Sequence, residues 1–324
     1  MKLDVSFQDV LVANKRLKGR VTHTPTIHSP VLSEETNAQV YFKMEALQKT
    51  GSFKVRGALN KIDSLTDEEM ARGVITASAG NHAQGVAYAA SLKGISAKIV
   101  VPENTPKTKQ NGVKRLGGEL VVFGENFDKA EEEAYRLEKE TGRVYIEAFE
   151  DDDIIAGQGT SALEALLENP EIDTIVVPAG GGGLLSGVAL VAKSIRSDIK
   201  VYGVQTHASP PWYYSFRAGK LVDVEYKDSV AEGLHGGITQ GNLDLILKLV
   251  DDFILVEEED VKKSISWLAN THQYMAEGSA VVGITALQQG LCKNVKGKNV
   301  LVWITGGNID GSQLADYITQ YPEN

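Results

Sequence analysis

The stretch Val177-Pro-Ala-Gly-Gly-Gly-Gly-Leu-Leu-Ser-Gly187 decides how the rest of the chain is read. It joins a β-branched run, Thr174–Pro178, to a helical pattern over Val188–Ile195. Four consecutive glycines at a strand-to-helix junction let backbone N–H groups converge on an anion, and the helix dipole favours negative charge at the same place. A glycine run also loses much conformational entropy on folding, so a phosphate cradle is a stronger reading than a flexible turn. A dinucleotide fingerprint counted from Gly181 would need glycine where Ser186 stands and an acid where Gln205 ends the next strand. A nucleotide P-loop would need Gly-Lys-Ser/Thr where the chain has Gly183-Leu-Leu-Ser186. A smaller phosphorylated ligand remains.

On either side of this stretch, apolar β-branched runs alternate with longer helical patterns. The runs are Val40–Phe42, Val74–Ala77, Ala97–Val101, Leu120–Phe123, Val144–Glu147, Lys200–Val204, Phe253–Val256 and Asn299–Ile304. Such alternation predicts an α/β fold of open, twisted, mostly parallel sheets flanked by helices. Nine strands in 324 residues are many for one sheet, so two units with a cleft between them are expected. Thr66-Asp-Glu-Glu69 reads as a capped helix start, Asn81–Leu92 as a helix stopped by Gly94, and Lys129–Glu140 as a solvated face with i,i+4 charge pairs.

Composition removes other classes. The 33 basic and 43 acidic residues give a net charge of −10, which disfavours nucleic acid and anionic membranes as partners. The single Cys292 and six scattered histidines offer neither an intramolecular disulfide nor metal-ligand spacing, so no metal is expected and a reducing, cytoplasmic setting fits. Neither a signal peptide nor a membrane span is expected from the apolar runs.

Three further segments carry candidate chemistry. In Lys49-Thr-Gly-Ser-Phe-Lys-Val-Arg-Gly-Ala58, Lys54 stands at the start of an amphipathic helix and could form a Schiff base with a small phosphorylated cofactor. Thr76-Ala-Ser-Ala-Gly-Asn-His-Ala-Gln-Gly85 is a second strand-to-helix turn, with donors for a carboxylate at Ser78, Gly80, Asn81 and His82. Trp303-Ile-Thr-Gly-Gly-Asn-Ile-Asp310 follows the last strand with small polar residues suited to a cofactor edge.

In this order, the four segments resemble those of the fold-type II (tryptophan synthase β-like) pyridoxal-phosphate enzymes. They are most similar to the short threonine/serine dehydratases, or ammonia-lyases, with serine racemase a near relative. The resemblance runs from His23-Thr-Pro25 through Ala156-Gly-Gln-Gly-Thr160 to Thr305–Asp310. It implies pyridoxal 5'-phosphate as cofactor, with Lys54 as the catalytic Schiff-base residue and Phe53 beside the ring. It further implies that Gly180, Gly181, Gly182, Gly183 and Leu184 hold the phosphate through backbone amides, and that Asn81 meets the phenolic oxygen. Thr305 is implied against the pyridine nitrogen, Glu277 near the cofactor, and Ser78, Ala79, Gly80, Asn81 and His82 around the substrate carboxylate. A capping residue before Gly278 is the competing reading of Glu277. The implied domains are a large cofactor domain, 1–50 and 149–324, and a small mobile domain, 51–148, in a homodimer or homotetramer.

The implied reaction is β-elimination of a small β-hydroxy amino acid, L-threonine or L-serine, to 2-oxobutanoate or pyruvate plus ammonia. A neutral Thr305 hydroxyl cannot stabilise a protonated pyridinium, which favours rapid elimination over long-lived carbanions. Dehydration of 3-hydroxyaspartate or phenylserine, serine racemisation, and silent binding of a phosphorylated ligand are the alternatives. Ala79 stands where racemases of this family have a second serine and has no proton to exchange, so racemisation is expected to be weak. Gln205 and Pro211 fall where the racemases hold a divalent metal and are poor ligands for a hard cation. Ala231-Glu-Gly233, followed by Leu234–Ile238, departs from the family's Ala-Asp-Gly and points to an altered side-chain preference. With 14 residues after Asp310, the regulatory domain of biosynthetic threonine dehydratases is not expected.

Overall fold

A computed structural model describes residues 3–322 of the chain. Ten strands form two sheets: β1 (Thr26–His28), β2 (Gln39–Lys43), β3 (Val74–Ala77), β4 (Ala97–Val101), β5 (Glu119–Val122), β6 (Val144–Tyr145), β7 (Thr174–Pro178), β8 (Lys200–Thr206), β9 (Asp252–Val256) and β10 (Asn299–Trp303). The larger sheet has six strands in the order β1-β2-β10-β7-β8-β9, and the smaller has four, β5-β4-β3-β6. Every pairing is parallel except β1 with β2. The small sheet is thus inserted between β2 and β7, and the chain crosses twice between the units. β1 escapes the periodicity reading because three residues, Thr-Ile-His, are too few to alternate visibly.

Both sheets are covered on each face. Along β7, Ile175 and Val177 enter one apolar core while Val176 enters the other. In the small sheet, Val74, Ile99 and Val101 face one cluster, with Ile75 and Val100 facing the opposite one. This period-2 division buries a parallel sheet between two helical layers.

The expected helix signals appear in place. Thr66 and Glu69 form a reciprocal capping box, and Gly94 ends helix Asn81–Lys93 in the left-handed region at φ +67°. Helix Phe127–Thr141 turns Ala130 and Ala134 inward, and its outer face carries Arg136–Glu140 at i,i+4 with Lys129–Glu132 and Arg136–Glu133 at i,i+3. Among the described residues no helix is long and apolar enough to cross a membrane.

Two close glycine contacts set the distance from Lys54 to the glycine loop. A Cβ on Gly157 would lie 2.7 Å from Gly57 Cα, and one on Gly187 would lie 2.7 Å from the Gly159 nitrogen. Helices Lys54–Ser64, Asp152–Glu168 and Gly183–Ile195 are therefore stacked backbone to backbone. Any side chain at these positions would push them apart.

Candidate active site

The loops after β3, β6, β7 and β10 meet in the cleft, as expected for the carboxyl ends of strands in open α/β sheets. Lys54 opens its helix just after a strap that ties residues 51–53 to the loop after β10. Phe53 N–H donates to the Thr305 carbonyl at 3.1 Å, Ser52 forms a bridge with Gly306, and Gly307 N–H donates to the Gly51 carbonyl at 2.9 Å. Lys54 Nζ donates to the Ala148 carbonyl at 2.9 Å and lies 5.4 Å from the Phe53 ring centre. Desolvation lowers its pKa to about 8, against the opposing pull of Glu277. Gly85 lets helix Asn81–Lys93 pass over this point, since a Cβ there would lie 3.2 Å from the Lys54 carbonyl.

The glycine loop comes to the same place. A Cβ on Gly181 would fall 2.2 Å from the Phe149 ring, adjacent to the Ala148 carbonyl that receives Lys54. Gly182 adopts φ +100°, where an L side chain is strained, and a Cβ there would meet Trp212 at 2.6 Å. The backbone N–H groups of Gly180, Gly181, Gly182, Gly183 and Leu184 have no hydrogen-bond partner among the described residues. Trp212 Nε1 donates to the Gly180 carbonyl, and Gln205 braces the loop by donating to the Ala179 carbonyl at 3.1 Å while accepting from Trp212 N–H at 2.8 Å. Unpaired amides held rigidly at a helix N-terminus are the donor set a phosphate requires. Leu184 adds only its amide, because its side chain is in the core.

On the opposite wall, Ser78 Oγ accepts from Gly80 N–H at 3.2 Å, leaving the backbone N–H groups of Ala79, Asn81 and His82 without a partner among the described residues. The His82 side chain departs from expectation. Its ring is buried and its Nε2 meets the Ile146 carbonyl at 3.0 Å. Burial, reinforced by Lys54, lowers its pKa to about 3, so the imidazole is neutral and only the backbone of His82 can face a ligand. Glu277 is N-cap of helix Gly278–Gln288 by position, yet its side chain makes no capping bond. It accepts instead from Asn81 Nδ2 at 2.7 Å, and burial raises its pKa to about 7. A Cβ on Gly306 would intrude on this pair, 2.5 Å from Glu277 Oε1 and 3.2 Å from Asn81 Nδ2. Thr305 is buried at the end of the same loop.

Residues 17–306 match the family model of the pyridoxal-phosphate dependent enzymes. The chain belongs to that family. This pyridoxal-phosphate enzyme is 44% identical to the L-threonine ammonia-lyase of Thermotoga maritima, over 96% of its own length and 77% of the relative's. It is 36% identical to the catabolic L-threonine dehydratase of Escherichia coli K12, over 97% and 96% of the two chains. The solved structure of maize serine racemase superposes with a TM-score of 0.93 at 33% identity, covering 98% of this chain and 97% of that one. The fold is pyridoxal-phosphate fold type II, and the cofactor is pyridoxal phosphate.

The cleft fits that group: among the described residues, the amides of the glycine loop are unpaired, and Thr50 Oγ1 and Ser52 Oγ are buried without partners in the loop leading to Lys54. Several participants have no sequence signal. Phe149 fills the space the glycines leave, and Lys109 reaches across the cleft to Glu232 at 2.5 Å. The loop carrying Glu232 packs on the cradle: Gly233 N–H donates to Ser279 Oγ at 2.8 Å, and the Gly233 carbonyl lies 2.8 Å from where a Gly180 Cβ would stand. Its unusual sequence is legible in the chain, but its contacts are not.

Proposed function

We propose that this enzyme dehydrates and deaminates L-threonine, L-serine or both, giving 2-oxobutanoate or pyruvate plus ammonia. The observation that carries the reading is a desolvated lysine, Lys54, with its pKa lowered to about 8, beside an unpaired amide cradle. Relatives named for L-threonine ammonia-lyase and dehydratase activity support the substrate.

When bound, the cofactor supplies an electron sink for the bond to the substrate Cα proton. Lys54 is the covalent anchor, and its free amine serves as the base that takes that proton. The amides of Gly180–Leu184 would hold the phosphate, with Phe53 beside the ring and Asn81 as donor to the phenolic oxygen. Glu277 orients Asn81, and Thr305 would offer a neutral hydroxyl to the ring nitrogen. The Ser78–His82 turn receives the substrate carboxylate through the Ser78 hydroxyl and the N–H groups of Ala79, Asn81 and His82. Ala79 has no exchangeable proton with which to return hydrogen to Cα, which favours elimination over racemisation. The enzyme works in the cytoplasm as a homodimer or a dimer of dimers, and the unit 51–148 moves as the small domain.

The test is 2-oxo acid release from L-threonine, L-serine, both 3-hydroxyaspartates and phenylserine by the purified holoenzyme. L-Threonine is expected to be fastest. Strong turnover of another member with little of threonine would keep the elimination and move the substrate assignment to the Glu232–Ile238 loop. A protein that remains colourless with added pyridoxal phosphate would overturn the proposal.

A further inference from the structure

A directed chain of amides runs along the cleft from a backbone carbonyl to Glu277. Asn308 Nδ2 donates to the Thr50 carbonyl at 2.9 Å and to Asn81 Oδ1 at 2.7 Å, and Asn81 Nδ2 donates to Glu277 Oε1 at 2.7 Å. Its direction follows from elementary bonding. A backbone carbonyl can only accept, so Asn308 must present its NH2 to Thr50. The second hydrogen of that nitrogen points at Asn81, whose facing atom must then be its oxygen. The Asn81 NH2 is thereby turned toward Glu277, with one hydrogen left to give. This polarity starts from a carbonyl that does not titrate, so it holds whether Glu277 is ionised or protonated. Gly51 makes the approach possible: it adopts φ +72°, and a Cβ there would lie 2.4 Å from Asn308 Oδ1.

We propose that Asn308 is a positioning residue that fixes the Asn81 amide, so that the cofactor meets an N–H donor and not a carbonyl oxygen at that edge. The proposal rests on the reading of Asn81 as a cofactor contact. Pyridoxal phosphate presents an anionic phenolic oxygen, which an N–H attracts and an amide oxygen repels. An aspartate at 308 would reverse the chain, because a carboxylate can only accept and would draw the Asn81 NH2 toward itself.

The experiment is a double-mutant cycle on the purified holoenzyme, reading the cofactor dissociation constant from the loss of visible absorbance on dilution and the pH titration of that absorbance. Asn308→Asp is expected to weaken cofactor retention about tenfold or more and to displace the titration, while Asn308→Ser, which keeps one donor, recovers part of the loss. In an Asn81→Ala background, Asn308→Asp should have little further effect, because its action passes through Asn81. An equal penalty from Asn308→Asp in both backgrounds would assign it only the strap to Thr50 and overturn the proposal. If Asn81→Ala itself leaves retention and spectrum unchanged, the cofactor role of Asn81 fails, and the inference fails with it.

Discussion

Lys43 and Lys54 stand on either side of the first crossing between the two sheets, Lys43 fully buried and Lys54 half-buried, and their surroundings are opposite. Lys43 is 0% exposed, donating to the Thr24 carbonyl at 2.6 Å and to Glu164 at 2.9 Å. Glu164 is shared with Arg56, which also pairs with Glu45 at 2.8 Å. Two cations and two carboxylates thus balance within one closed network. Burial alone would lower the pKa of Arg56 and raise that of Glu45, yet their mutual attraction reverses both shifts. Lys54 has a single neutral acceptor, the Ala148 carbonyl, and no carboxylate at ion-pair distance among the described residues. Desolvation without an ion-pair partner leaves Lys54 with a reactive amine.

The largest effect is expected from removing the reactive member. Lys54→Ala should abolish the visible absorbance of the lysine-bound cofactor and reduce turnover by about a thousandfold or more. Folding should survive, since Lys54 makes one hydrogen bond to a carbonyl. A circular-dichroism melt beside the assay separates the two losses. Normal turnover in this variant would refute the role given to Lys54.

The balanced network should fail in the opposite way. Arg56→Met leaves Glu45 and Glu164 buried with only Lys43 to neutralise them, and should cost about 3–5 kcal/mol of stability. Arg56→Lys should rescue little, because one ammonium cannot reproduce the fork that reaches Glu45 Oε1 and Oε2 together with Glu164. Denaturant titration reads both. A melt unchanged by Arg56→Met would mean that the network is looser than these distances imply.

The two lysines also mark how far the sequence can be read. The strand-to-helix turns at Ser78–Asn81 and Gly180–Gly183 are contiguous in the chain, so their glycines and donors are legible from the residues alone. Members of the charged network are spread from Lys43 to Glu164 and carry side chains usually found on surfaces, so no local pattern announces them. The same holds for Gly57 with Gly157 and for Asn308 with Asn81, whose meaning lies in contacts between distant segments. His82 reads in the sequence as an open donor, because its motif fixes where the backbone turns but not which way the ring goes. Glu277 is readable as a helix N-cap, and only the three-dimensional packing turns its carboxylate to Asn81.

The lowered pKa of Lys54 has a kinetic consequence. In cofactor-free protein, the rate at which Lys54 captures pyridoxal phosphate should follow its neutral fraction, rising with pH to a midpoint near 8 and levelling above it. A lysine with the ordinary value of about 10.4 would still be gaining rate at pH 10. Glu277 is the carboxylate whose field holds the Lys54 pKa up, so Glu277→Gln should move the midpoint below 8. A midpoint that rose in this variant would reverse the sign assigned to Glu277.

The smallest effect concerns the Phe53 ring beside the amine. Lys54 Nζ lies 5.4 Å from the Phe53 ring centre, within reach of its negative face when protonated. A partly exposed cation–π contact is worth about 0.5–1 kcal/mol, which corresponds to roughly half a pH unit in a lysine pKa. Phe53→Leu keeps an apolar side chain but removes the quadrupole, so the capture midpoint should fall by that amount. The direction matters more than the size: lost attraction to the cation lowers the pKa, whereas better hydration around a smaller side chain would raise it. A downward shift would make the ring part of the sparse countercharge at Lys54, and an upward shift would reduce Phe53 to a desolvating wall.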